Sequence, residues 1–303
     1  MNIKVWIEAA RLRTLPLSVS GIIVGSFAAY NQVENKSHFW IIFGLAFLTT
    51  LCFQVLSNFA NDYGDGVKGT DNENRVGPQR AIQSGAITQK QMKTGIIITS
   101  IVSLLVAILL IYVAFGSENF WYSLLFTALG IGAIAAAIKY TVGKSAYGYR
   151  GLGDIFVFVF FGLVSVIGSS FLYTMQFDYT TIFPAITIGL LSVGVLNLNN
   201  MRDIENDIVS GKNTIVVKMG SQKAKTYHIA MVLFAFICLL VFDYLRGLLI
   251  FPTAIVYFLL FAAHLKRVNE VKQPKAYDSE LKVVAIGTFL LSLVTAIELF
   301  FTK

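Results

Sequence analysis

The 303-residue chain is 56% Ala, Val, Ile, Leu, Met, Phe, Trp, Tyr and Cys and only 14% charged, where a soluble domain carries about 25% charged residues. That balance excludes a disordered segment, and it excludes a soluble globule, which could not hide so much apolar surface. The net charge of +7 reflects sidedness about a bilayer, so no nucleic-acid partner is implied. Cys52 and Cys238 lie inside apolar runs and His38, His228 and His264 are well separated, which leaves a disulfide framework, a zinc site and a haem site without support.

The pattern predicts an all-α polytopic membrane protein. A membrane-crossing helix needs about 20 mostly apolar residues, and nine stretches qualify in chain order: 14–30, 39–60, 95–115, 120–138, 152–173, 181–198, 227–242, 248–264 and 283–301. Residues 3–13 read as a short amphipathic helix on the membrane surface with Trp6 as an interfacial anchor. The basic start and apolar run also resemble a signal peptide, but the expectation is that they are kept as the first span. The polar run Asp243-Tyr244-Leu245-Arg246-Gly247 predicts a tight turn between two helices. Of the 24 Lys and Arg, 21 fall in alternate connections on one side, against Lys36, Arg246 and Lys303 on the other. Basic residues gather on the cytoplasmic side, so the N-terminus is expected inside and the C-terminus outside.

Two connections on the basic side are too rich in Asn and Asp to be linkers. The first runs Asn58-Phe-Ala-Asn61-Asp62-Tyr-Gly-Asp65-Gly-Val-Lys68-Gly-Thr-Asp71, followed by Arg75 and Arg80; the second runs Asn197-Leu-Asn199-Asn200-Met-Arg202-Asp203-Ile-Glu-Asn-Asp207, followed by Lys212. Asn58 stands four residues before Asp62, as Asn199 stands four before Asp203. At helical spacing Asn58, Asp62 and Asp65 share one face, as do Asn199, Asp203 and Asp207. This matched skeleton suggests a duplication: two four-helix groups, 14–138 and 152–264, plus a ninth helix at 283–301 around a central cavity, in one domain.

Carboxylate and amide oxygens without histidine or thiol are hard ligands of the kind magnesium takes, together with water and phosphate oxygen. The interleaved Lys68, Arg75, Arg80, Arg202 and Lys212 suit a polyanion. At about 4 Å and an effective dielectric near 20, a like-charge pair costs about 4 kcal/mol, and a divalent bridge reverses that sign. The bland alternative is a pair of solvated loops, but two matching loops on one side favour a shared metal-diphosphate site. A third connection holds Tyr140-x-x-x-Lys144, then Tyr147, Tyr149, Arg150 and Asp154. If helical, it puts an aromatic face and an ammonium one turn apart.

These residues resemble the UbiA superfamily of intramembrane aromatic prenyltransferases over essentially the whole chain, from Arg13-Thr14-Leu15-Pro16 to the ninth helix. Asn61-Asp62-x-x-Asp65 with Asp71, and Asp203-x-x-x-Asp207, occupy the places of the two aspartate-rich motifs, and Tyr140-x-x-x-Lys144 matches a further family element. The longer strings NDYGDGVKGTD, RVGPQRAIQSGAIT and NNMRDIENDIVSGKNT are similar to the branch that acts on 1,4-dihydroxy-2-naphthoate. In 4-hydroxybenzoate members an arginine usually follows the second aspartate of the first motif; here Gly66 does, and Asp71 lies six residues on, so Lys68 is expected to take over a phosphate contact.

The resemblance implies transfer of a polyprenyl group from polyprenyl diphosphate to the naphthoate, with loss of carbon dioxide and diphosphate, in menaquinone biosynthesis. It implies two Mg2+ ions on Asn58, Asp62, Asp65, Asp71, Asp203 and Asp207, and substrate contacts from Asn58, Lys68, Arg75, Arg80, Asn199, Lys212 and Arg13. Tyr140 would face the allylic cation, Lys144 would hold the departing diphosphate, and Arg13 or Arg80 would bind the acceptor carboxylate. The expected setting is a bacterial cytoplasmic membrane, with no obligatory protein partner. Other superfamily acceptors, namely 4-hydroxybenzoate, homogentisate and haem, are the runner-up reading. A cation-coupled transporter is remoter still, because transporter sites usually lie at the bilayer midplane.

Overall fold

The computed structural model describes residues 3–73, 75–248 and 250–302, so Lys303, counted above as an outside charge, lies outside the described residues. A short helix α1 (Ile3–Ala10) leads into α2 (Leu15–Ala29), α3 (Lys36–Lys68), α4 (Gln89–Phe115), α5 (Phe120–Lys139), α6 (Gly153–Thr174) and α7 (Ile182–Arg202). Two short helices, α8 (Ile204–Val209) and α9 (Ile215–Met219), precede α10 (Ser221–Arg246), α11 (Ile250–Glu270) and α12 (Tyr277–Phe301).

Among the described residues eight helices are long and apolar enough to cross a membrane, one fewer than the nine predicted. The predicted 248–264 segment corresponds to α11, but residue 249 and the side chains of residues 250–252 lie outside the described residues. The predicted break between two helices is present, but it starts only at Gly247, residues 243–246 remaining helical. Helix α10 ends at Arg246 and Gly247 takes the left-handed conformation at φ 63°, which a glycine adopts without strain.

Helix α3 departs most from expectation. Its 33 residues span about 50 Å at the usual helical rise, well beyond the roughly 30 Å of a hydrocarbon core. Nothing in its last turns stops it until Gly69, at φ 73°, whose amide returns to the carbonyls of Asp65 and Gly66. Asn58, Asp62 and Asp65 therefore ride on a continuous helix projecting past the apolar layer, where the sequence suggested a loop from residue 61. Trp6 on α1 packs against neighbouring helices. It is half-buried, edge-on to Phe59 at 5.3 Å between ring centres and pressed against Gly95, so it pins α1 to α3 and α4.

The most enclosed spans are α2 and α7. Both pack on α12, and both pack on the middle of α6, where Phe158–Gly168 form a π-helical stretch. Small residues allow that approach, as is usual between helices in lipid. A Cβ on Gly25 would lie 2.1 Å from the Val166 carbonyl oxygen, and one on Gly162 would lie 2.5 Å from that of Ala185. Gly25→Val is therefore expected to destabilise the protein by about 3 kcal/mol through overpacking, read as earlier thermal unfolding in detergent; an unchanged transition would contradict the close α2–α6 contact.

Candidate functional site

A cavity of about 520 Å³ opens between α2, α3, α4, α5, α6, α7 and α12. Its walls divide by chemistry. One end is apolar, with Ile22, Ala46, Leu110, Phe126, Val164 and Leu172; the other gathers Arg11, Arg13, Arg75, Arg80, Arg202, Lys212 and Lys282 with Asp65, Asp203, Asp207 and Asp278. Among the candidates drawn from sequence, Arg13, Asn58, Asp65, Arg75, Arg80, Tyr140, Asn199, Asp203, Asp207 and Lys212 all line this one space. The two acidic segments thus converge.

On α3, Asn58 is buried and spends its amide on the N-terminal segment, donating to the Ala10 carbonyl at 2.8 Å and to Thr14 Oγ1 at 3.1 Å. Asp62, one helical turn on, is turned away from the cavity. Its carboxylate accepts from the backbone amides of Ala81 at 3.1 Å and Ile82 at 3.3 Å, and so shapes the loop that carries Arg75 and Arg80. Asp65 does line the cavity, with Oδ1 accepting from the Tyr149 hydroxyl at 2.8 Å. Asp71 is paired with Arg75 beside a separate open hollow with Asn72, Glu73, Gln79 and Gln83. Burial pushes its carboxyl up to about 6, with Arg75 pulling the other way.

The second segment is split. Helix α7 ends at Arg202, Asp203 sits at the break, and α8 resumes at Ile204, so Asn199, Asp203 and Asp207 do not share one uninterrupted helical face. Asp203 is clasped by its neighbour. Arg202 Nε donates to Oδ1 at 3.0 Å and Nη2 to Oδ2 at 2.6 Å, while Nη2 also reaches Asn199 Oδ1 at 2.7 Å and Nη1 reaches Asp278 Oδ1 at 2.8 Å. Asp207 is freer. Lys212 Nζ stands 3.6 Å from its Oδ1, whereas its buried Oδ2 has no hydrogen-bond partner. Burial pushes the Asp207 carboxyl up to about 6, opposed by Lys212 and reinforced by Asp203 and Asp65. For Lys212, burial works against the charge, yet Asp65, Asp207 and the two tyrosines Tyr140 and Tyr149 prevail and hold its pKa above the ordinary lysine value.

The third segment corrects the sequence reading. Helix α5 stops at Lys139, with Tyr140 as its cap, and Gly143 turns the chain at φ 91°. Lys144 is therefore exposed and does not line the cavity. Tyr140 does, its hydroxyl pushed up to about 12 by burial; the ammonium near it is that of Lys212. Lys68 is also exposed outside the cavity lining, its Nζ 3.7 Å from the centre of the Tyr149 ring.

Several groups at this end carried no role in the sequence reading. Arg11, at a left-handed φ of 52° that is uncommon outside glycine, directs its Nη2 to the Asn58 carbonyl at 3.4 Å. Asn206 is buried, donates to the Thr70 carbonyl at 2.8 Å and leaves Oδ1 unpartnered. Asp278 begins α12, far along the chain from Arg202. No local spacing rule links such residues.

Among the described residues, no three His, Cys, Asp or Glu side chains stand together as a ready metal cage. The donor set nevertheless suits a hard cation. Asp65, the unpartnered Asp207 Oδ2 and the unpartnered Asn206 Oδ1 are all oxygens, and magnesium typically takes one or two carboxylates and completes its shell with phosphate and water.

Residues 18–295 match the UbiA prenyltransferase family. The chain is 48% identical over 241 residues to a 1,4-dihydroxy-2-naphthoate octaprenyltransferase of Haemophilus influenzae, covering 80% of this chain and 77% of that one. It is 45% identical over 239 residues to the enzyme of the same name from Escherichia coli, covering 78% and 76%. In fold it is similar to a UbiA homologue from Aeropyrum pernix, with a TM-score of 0.65 and 17% identity over 93% of this chain and 99% of that one. With the family match, these relatives and one cavity shared by both aspartate segments in hand, the chain belongs to the UbiA prenyltransferase family.

Proposed function

We propose that this protein transfers a polyprenyl group from polyprenyl diphosphate to 1,4-dihydroxy-2-naphthoate, releasing diphosphate and carbon dioxide and giving a demethylmenaquinol, in menaquinone biosynthesis. The observation that carries the reaction class is the division of a single cavity into an ionic end and an apolar limb, the shape of an amphipathic prenyl diphosphate. The choice of acceptor is supported by the relatives at 45–48% identity.

Asp65, Asp207 and Asn206 would hold magnesium, with Asn58 and Asp203 in support. Magnesium, when bound, neutralises diphosphate and makes it a better leaving group. Lys212, Arg75 and Arg80 embrace the diphosphate oxygens. Asp62 keeps the Arg75–Arg80 loop in place through the amides of Ala81 and Ile82. The prenyl chain lies along Leu110, Phe126, Phe160 and Phe161, and the half-buried Tyr140 ring faces the carbon from which diphosphate departs. Arg11 and Arg13, both in the cavity lining, orient the acceptor carboxylate so that the ring carbon bearing it attacks. The new carbon–carbon bond takes the ring's electron pair, and the pair released by the departing carboxylate restores the aromatic ring.

In the same reading α11 completes a ninth crossing, the two halves descend from a duplicated four-helix unit within one domain, and the basic end faces the cytoplasm of a bacterial inner membrane.

Purified protein incubated with magnesium, a polyprenyl diphosphate and competing aromatic acids should yield a prenylated naphthoquinol and carbon dioxide. A product from another acid, or none, would overturn the assignment, as would turnover that survives excess chelator. Asp65→Asn and Asp207→Asn should each lower kcat/KM by at least about a hundredfold, with unfolding temperatures near that of the wild type, while Lys144→Ala should change it by less than about threefold because the ammonium is solvated. Arg202→Met should destabilise the fold by about 3 kcal/mol, since it strands the buried Asp203 and leaves Asp278 with Lys282 alone; thermal unfolding measures this.

A pH dependence follows from Asp207. Its folded-state pKa of about 6 lies above the ordinary aspartate value, so in metal-free protein its contribution to stability falls as pH rises from about 4 to about 6. Metal must displace the proton from below that point. Apparent magnesium affinity should therefore weaken by up to about tenfold per pH unit below about 6 and level off above it, read from magnesium titrations of activity; a flat profile between pH 5 and 7 would refute the ligand assignment.

A further inference from the structure

Tyr149 is joined to all three polar segments, yet it does not line the cavity. Its hydroxyl lies 2.8 Å from Asp65 Oδ1 and 2.5 Å from Thr70 Oγ1. A phenol has a single proton to donate, and an ionised carboxylate can only accept, so that proton belongs to Asp65 and Thr70 donates to the phenolic oxygen. The ring carries the ammonium of Lys68 at 3.7 Å from its centre and that of Lys212 at 5.7 Å, within the range of cation–π attraction. Its backbone carbonyl accepts from the Asn213 amide at 3.1 Å, next to Lys212. The residue itself is held in the tight turn Tyr147–Arg150, which closes on Gly151 at φ 80°.

One side chain therefore grips the end of α3 with its hydroxyl and the segment after α8 with its ring and backbone. Packing alone would be satisfied by phenylalanine. What the hydroxyl adds is a fixed orientation of the Asp65 carboxylate, with one oxygen engaged by the phenol, while the ring attracts the Lys212 ammonium from 5.7 Å. We propose that Tyr149 is a positioning residue that sets the separation and orientation of Asp65 and Lys212 for a metal-bound diphosphate. This inference rests on the metal-diphosphate reading of the site given above.

The test uses the full-length protein in detergent, as wild type, Tyr149→Phe and Tyr149→Leu. Manganese binding is followed by the paramagnetic resonance of the free ion in the presence of farnesyl thiodiphosphate, whose sulfur bridge resists ionisation, and steady-state constants are measured beside unfolding temperatures. Tyr149→Phe should unfold like the wild type, bind manganese about tenfold more weakly, as expected when a group orienting a metal ligand is lost, and show a raised KM for prenyl diphosphate with an unchanged acceptor KM. Tyr149→Leu should show the larger loss of manganese affinity. Wild-type manganese affinity and prenyl diphosphate KM in Tyr149→Phe would overturn the proposal, as would reduced stability in both variants with unaltered affinity in the folded fraction, which would assign Tyr149 to packing. If the wild type itself fails to bind manganese with the analogue, the metal reading falls first and takes this inference with it.

Discussion

Ionised side chains withdrawn from water must find partners, and this constraint governs the charged end of the bundle. Asp65, Asp203, Asp207 and Asp278 cannot stand together unaided. Arg202 answers two of them at once, gripping Asp203 with two nitrogens and reaching Asp278 with a third. Lys212 answers Asp207 and lies within the field of Asp65. The arrangement ties α7, α8 and α12 together, and the Tyr149 turn extends it to α3. Among the described residues, the atoms left without a partner here include the oxygens Asp207 Oδ2 and Asn206 Oδ1 and the nitrogens Arg75 Nε and Arg80 Nε, so this end has capacity for a cation and for an anion together.

The rest of the fold serves to hold that end against an apolar chamber. Glycines at 25 and 162 let α2, α6 and α7 approach to backbone contact, which keeps the walls thin and leaves volume inside. The length of α3 lifts Asp65 clear of the apolar layer while the same helix contributes Ala46 and Phe53 to the lower wall. One rigid rod thus supplies both halves of the cavity. A diphosphate would sit where ions are tolerated and an isoprenoid tail where water is not.

Much of this was legible in the sequence, for identifiable reasons. Hydropathy located the helices because each must satisfy its own backbone in lipid, and the break at Gly247 showed itself through a polar run closed by glycine. The convergence of Asp65 with Asp207 was legible because two loops shared an Asn-led spacing. Other features depend on contacts between residues distant in sequence. The distant partner of Arg202 is Asp278, and the carboxylate of Asp62 is absorbed by amides at 81 and 82. Lys144 was misplaced because the Tyr-x-x-x-Lys spacing presumes a helix that ends one residue earlier, at Lys139. Tyr149 was visible in its segment, but no spacing rule marks a residue whose importance comes from a hydroxyl and a ring serving different neighbours.

The π-helical stretch of α6 has a consequence for how the chamber's floor can vary among related chains. Wider winding lets Phe160 and Phe161 turn toward the cavity while Phe158 presses on Gly189. Such bulges inside helices are often found at functional sites. Loss of one residue there would let the backbone relax toward ordinary α-winding and change which side chains of the stretch face the cavity. A lineage could thereby retune which hydrocarbon the chamber accepts through a single-codon deletion, leaving the ionic end untouched.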